Sequence, residues 1–109
     1  MRNNSCSNVC RELVVYRLKP ERQQQLIRIR EHMSEQMATI PGFIKIESWQ
    51  ACEDEDLCTD VVWWQNKSAA MNGYQQWKQL PSASAFMECV AEVIFSNHFQ
   101  AGSQVQGQS

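Results

Sequence analysis

Glycine is scarce in this chain, four residues in 109, and proline is scarcer, with three. A phosphate-cradling loop needs several glycines close together so that the backbone can approach its ligand. No such run exists here, and neither does a GxSxG elbow or an HExxH pair. Nucleotide-binding, kinase and the corresponding hydrolase chemistries are therefore set aside. An excess of one charge is lacking too. Ten Lys and Arg are interspersed with twelve Asp and Glu, for a net charge of −2, so the basic patch that a nucleic acid requires is not expected. No apolar run approaches the roughly 20 residues that cross a bilayer, and the opening MRNNSCSNVC has no apolar signal core. The expectation is a cytoplasmic protein with neither a nucleic-acid nor a membrane partner.

Cysteine is present but unpatterned. The five residues Cys6, Cys10, Cys52, Cys58 and Cys89 are odd in number and contain no CxxC pair. A zinc site needs tighter spacing and a second ligand pair, so free thiols and no metal are expected. Cys52 and Cys58 flank an acidic turn, where a hairpin disulfide is the alternative. The acidic residues of that turn, CEDEDL, lack the glycine and distal glutamate of a calcium loop.

The length fits one domain, which can bury roughly two thirds of its unfolded surface. Residues 1–10 read as a flexible leader and 101–109, rich in Gly, Ser and Gln, as a disordered tail. Between them, ELVVYRL is β-branched and stops at Pro20, as a strand does. Leu26, Ile29, Met33, Met37 and Ile40 recur at helical steps over residues 21–39, and Pro41-Gly42 ends that helix. FIKIESWQA and CTDVVWWQ form a hairpin across the acidic turn. Asn66 caps a helix over 67–79 whose apolar face is Ala70, Gly73, Tyr74 and Trp77. After Pro81 a further helix places Phe86, Cys89, Val90 and Val93 in step, and IFSNHFQ supplies a short last strand.

The order β-α-β-β-α-(α)-β is the α+β ferredoxin-like split βαβ pattern, with an antiparallel sheet carrying helices on one face. LVVY and VVWW are apolar on both sides, and such strands need cover on both faces. The most economical second cover is an identical chain, so a homodimer packed through its sheet faces is expected. Trp63 and Trp64 must point to opposite faces.

VVYRLKPE before a helix, PGF opening the second strand, and VVWWQNKSAA passing from strand to capped helix resemble the antibiotic biosynthesis monooxygenase family of dimeric α/β-barrel proteins. Trp64, Asn66 and Ala69 fill the family's strand-to-helix wording, and the likeness spans about residues 12–99, within a domain of 11–100. Two departures stand out. Val62 occupies a place that often holds Glu, and GYQQW replaces a His-containing stretch. The resemblance implies a cavity between sheet and helices, and oxidation of a quinol-like aromatic by O₂ with no cofactor. A haem-degrading branch uses an Asn, a Trp and a His where this chain carries Tyr16, Tyr74 and a position near Cys89, so haem chemistry is not expected. The alternative is a dimeric small-molecule-binding or stress-response protein of the same fold without catalysis.

Candidate residues follow, each with its plainer alternative. Tyr16 matches the pocket-facing Asn and could bond a substrate oxygen; otherwise it is a core tyrosine. Tyr74 and Trp77, beside Ala70 and Gly73, leave a recess for a flat ligand or are ordinary core. His98 can act as a base near neutral pH or sit at the surface or the dimer interface. Trp64, Trp49 and Phe86 complete the expected substrate contacts, with Tyr16, Tyr74 and His98 as the catalytic set. Phe43, Lys45, Glu47 and Trp49 share one strand parity, and Lys45 and Glu47 are placed to pair. His32 lies beside the helix stripe and should be solvated.

Overall fold

The computed structural model describes residues 8–103 and Gly107. Seven elements follow one another: β1 (Cys10–Leu18), α1 (Gln23–Met37), β2 (Phe43–Ala51), β3 (Asp54–Trp64), α2 (Lys67–Trp77), α3 (Pro81–Cys89) and β4 (Val90–Gln100). The strands form one antiparallel sheet in the order β2-β3-β1-β4, the α+β ferredoxin-like arrangement. No helix among the described residues is long and apolar enough to cross a membrane.

Helix α1 buries Leu26, Met33 and Met37, and Ile40 continues the stripe past its end. The Asn66 side chain accepts the Ala69 backbone N–H at 2.8 Å, capping α2. Pro81 opens α3, where its missing N–H costs nothing. Gly42, at φ 85°, turns the chain between α1 and β2 in a conformation that favours glycine. Its Cα lies so near the Ala69 methyl that a side chain would collide with it.

Several boundaries differ from the sequence pattern. Cys10, placed in the flexible leader by composition, is the buried first residue of β1. Most of that leader, Cys6 included, lies outside the described residues, as does most of the 101–109 tail. Strand β3 begins at Asp54, so the acidic segment is largely strand and the turn is short. Arg17 reaches over from β1 to Asp54 at 3.0 Å. Helix α3 stops at Cys89, and Val90 and Val93 belong to β4. That strand is longer than alternation suggested because two register shifts against β1, between Val15 and Tyr16 and between Arg17 and Leu18, break its period. Cys10, Cys52, Cys58 and Cys89 are all free thiols.

The two faces of the sheet are unequal. Glu12, Val14, Tyr16, Asp60, Val62 and Trp64 point toward the helices, and the core lies there. Leu13, Val15, Val61, Trp63, Phe95 and Phe99 point the other way, and no element among the described residues covers them. Arg11 and Lys45 flank the Trp63 ring at 5.4 and 4.4 Å from its centroid. Lys45 also meets Glu47 at 3.5 Å.

Candidate functional site

Between the sheet and the helices lies a cavity of about 410 Å³. Strands β1 and β3 supply its floor through Glu12, Val14, Tyr16, Asp60, Val62 and Trp64. Met33 and Met37 of α1, Tyr74 and Trp77 of α2, and Phe86 of α3 form walls and roof. The aromatic walls support one another. Tyr74 and Trp77 stack with centroids 6.4 Å apart, while Phe86 meets Trp77 and Tyr16 edge-on at 6.1 and 5.3 Å. Trp64 is 1% exposed and takes an edge from Phe43 at 5.7 Å. Its ring occupies the space that a Gly73 side chain would need. Small residues on α2 thus let the indole lie beneath the helix.

Two carboxylates break the apolar lining, beside Lys78 and Ser96. At one end Asp60, 5% exposed, accepts the Tyr16 hydroxyl hydrogen at 2.8 Å and faces the Arg30 guanidinium at 3.4 Å. Arg30 also donates to the Tyr16 oxygen at 2.5 Å. Burial pushes the Asp60 carboxyl up, against the pull of Arg30, and burial likewise raises the Tyr16 phenol beside that carboxylate. At the other end Glu12 accepts the Trp64 indole N–H at 3.3 Å. Burial raises its carboxyl above the usual glutamate value, opposed by His98 and the indole.

The expected site residues are thus partly gathered. Tyr16, Trp64, Tyr74, Trp77 and Phe86 all line the cavity. Tyr16 is 0% exposed, with its hydroxyl engaged by Asp60 and Arg30. His98 stands on the helix-facing side of β4 as the register partner of Glu12, without reaching the cavity lining. Its Nε2 is buried and has no hydrogen-bond partner among the described residues.

Trp49, expected among the substrate contacts, is not in the cavity. A register shift between Phe43 and Lys45 resets the strand's parity. Phe43 therefore packs on Trp64, while Lys45, Glu47 and Trp49 pair with Trp63, Val61 and Thr59 on the bare face. Trp49 is 60% exposed there. His32 is exposed, as expected.

Glu12 and Asp60 escaped the sequence reading, Glu12 as the lone acid of β1 and Asp60 as a single acid between Thr59 and Val61 in β3. One signal could have found Glu12. Val62 stands where a family glutamate often does, and Glu12 is its direct cross-strand partner, so a carboxylate reaches the same region from the neighbouring strand.

The family model of the antibiotic biosynthesis monooxygenases matches residues 11–88. The chain belongs to that family. Solved structures agree in fold. A conserved protein from Methanosarcina mazei Go1 superposes with a TM-score of 0.72 at 16% identity, over 90% of this chain and 97% of that one. SnoaB, a cofactor-independent oxygenase from Streptomyces nogalater, gives 0.71 at 13% identity, over 91% and 96%. No curated protein matches the sequence. For an antibiotic biosynthesis monooxygenase family member, this cavity lies where the resemblance implied one, between sheet and helices.

Proposed function

We propose that this protein is a cofactor-independent oxygenase acting on a small hydroxylated aromatic, of anthrone or quinol type. The observation that carries the reading is the aromatic-walled cavity with one buried and one half-buried carboxylate on its floor, in a member of this family. A volume near 410 Å³ suits a flat molecule of two or three rings. In this reading Trp64, Trp77 and Phe86 hold the rings and Tyr74 closes the mouth. Tyr16 acts indirectly, by fixing Asp60. The substrate loses a proton, the resulting anion gives two electrons to O₂ to form a carbon-bound hydroperoxide, and the remaining C–H bond supplies the second pair as the O–O bond breaks. One oxygen atom enters the product as a carbonyl; the other leaves as water with the two hydrogens of the oxidised carbon. His98 serves the proton transfer from the edge strand.

The functional unit in this reading is a homodimer closed through the bare face. Phe95 and Phe99, with centroids 6.2 Å apart, and Trp63 offer an apolar surface, and Arg11, Lys45 and Glu47 give it charges of both signs for a two-fold copy to pair. The free thiols fit a reducing compartment such as the cytoplasm.

Oxygen uptake with a panel of anthrones and quinols tests the activity. Consumption of O₂ with formation of the quinone product is expected. Binding with unchanged ligand across the panel would favour the second reading, a small-molecule-binding protein. The Tyr16 hydroxyl and the Asp60 carboxylate, which already engage each other and Arg30 without a ligand, are the observation on its side.

A further inference from the structure

The two acids of the cavity floor differ in what they have left to offer. Asp60 is engaged by the Tyr16 hydroxyl and the Arg30 guanidinium. Glu12 has one modest partner, the Trp64 indole at 3.3 Å on Oε1, and its Oε2 has none among the described residues. Directly across the β1–β4 ladder stands His98. Facing residues of an antiparallel pair hold their Cβ atoms about 5 Å apart, within reach for a carboxylate and an imidazole. The His98 Nε2 is buried without a partner among the described residues, while the residue as a whole is half-exposed on the outermost strand. A carboxylate on the cavity floor thus faces, across the ladder, an imidazole with an unpartnered ring nitrogen among the described residues.

We propose that Glu12 and His98 form a proton relay that ionises a hydroxylated aromatic in the cavity and carries its proton out. This rests on the aromatic-ligand reading above but not on oxygenation. In the first step the ligand O–H bond breaks, its electron pair stays on the ligand oxygen, and a new O–H bond forms at Glu12 Oε2. In the second, that proton passes to His98 Nε2, restoring the carboxylate and leaving an imidazolium, which gives the proton on its other ring nitrogen, Nδ1, to water at the edge strand. Burial raises the basicity of Glu12, which favours the first step. The other charged groups near it are accounted for: Asp60 on β3 is tied to Arg30 of α1, and Lys78, just past the end of α2, lies over the Tyr74 ring at 5.2 Å. Helix α3 presents apolar side chains to the cavity.

A hydroxyanthraquinone dye that changes colour on ionising, and cannot be oxidised as an anthrone is, separates this relay from oxygenation. Titrated with the full-length protein, the bound dye is expected to ionise at least about tenfold more readily than free dye, with tryptophan quenching reporting occupancy. Glu12→Gln should bind the dye equally but abolish the shift. His98→Ala should keep the shift yet slow ionisation in stopped flow, on the order of 100-fold, and added imidazole should restore the rate. Glu12→Asp, conserving the charge, checks that a flat result for Gln is not misfolding. The relay is overturned if wild-type protein neither binds nor ionises the dye, if Glu12→Gln ionises it as wild type does, or if imidazole leaves His98→Ala slow. Normal dye ionisation without O₂ uptake on anthrones would overturn the oxygenase reading alone.

Discussion

The ring of Trp64 fills the space that a side chain on Gly73 would occupy. Gly73→Ala therefore forces either the indole or helix α2 to move. Overpacking of this kind costs about 1–3 kcal/mol. Thermal unfolding should show the loss, and tryptophan emission should shift as the buried indole reorients. An unchanged melting temperature with unchanged emission would show that the contact is slack.

Arg30 and Asp60 form a pair in which removing one partner strands the other. Arg30→Met should destabilise by about 2–3 kcal/mol, somewhat less than a fully buried pair because the guanidinium keeps partial contact with water. Adding Asp60→Leu should recover much of that loss, and urea denaturation of the four species in a double-mutant cycle would measure the coupling. Strict additivity would mean the two groups do not interact.

Asn66→Ala removes the side-chain acceptor of the Ala69 N–H. A loss of about 1 kcal/mol is expected, visible as a lower urea midpoint at constant slope. Since α2 also carries Tyr74 and Trp77, dye affinity should fall with it.

Glu12 gives the fold a pH dependence of definite sign. Its carboxyl is raised by burial, so the native state holds that proton more tightly than the unfolded chain. Stability from this group is full below about 4.3, the ordinary glutamate value, and is lost as pH rises through the higher folded value. Asp60 is shifted the same way. Glu12→Gln should flatten the decline in melting temperature over that window and leave a residual slope from Asp60. A steeper decline in the variant would reverse the assignment.

Phe95→Glu places a charge on the bare face without touching the cavity. Sedimentation at micromolar concentration should show a dimer for wild type and a monomer for the variant. A 12.6 kDa wild-type species would remove the dimer from the proposed function.

Local chemistry made most of this fold legible. The stripe from Leu26 to Ile40, the Asn66 cap and the Pro41-Gly42 break are signals written within a few residues of one another, and the structure follows them. The site was legible where it rests on bulk: Trp64, Tyr74, Trp77 and Phe86 are large and periodic, and all line the cavity. Its polar part was not. Glu12 acquires its surroundings from Trp64 on one neighbouring strand and His98 on the other, and nothing beside it in the chain encodes that meeting. Trp49 was misplaced because one irregularity after Phe43 reverses the alternation on which its assignment relied.

Strand β4 shows the same kind of irregularity put to use. Counted by twos from Val93, which lines the cavity, His98 would fall on the bare face while Phe95 and Phe99 turned inward. The shift between Val15 and Tyr16 absorbs Ile94 as a supernumerary residue and inverts that assignment. Ile94 thus works as a parity switch, sending the imidazole that follows it to one face of the sheet and two phenyl rings to the other. A chain of this family that gained or lost a single residue there could exchange the two sets wholesale, trading proton chemistry for surface without altering any side chain.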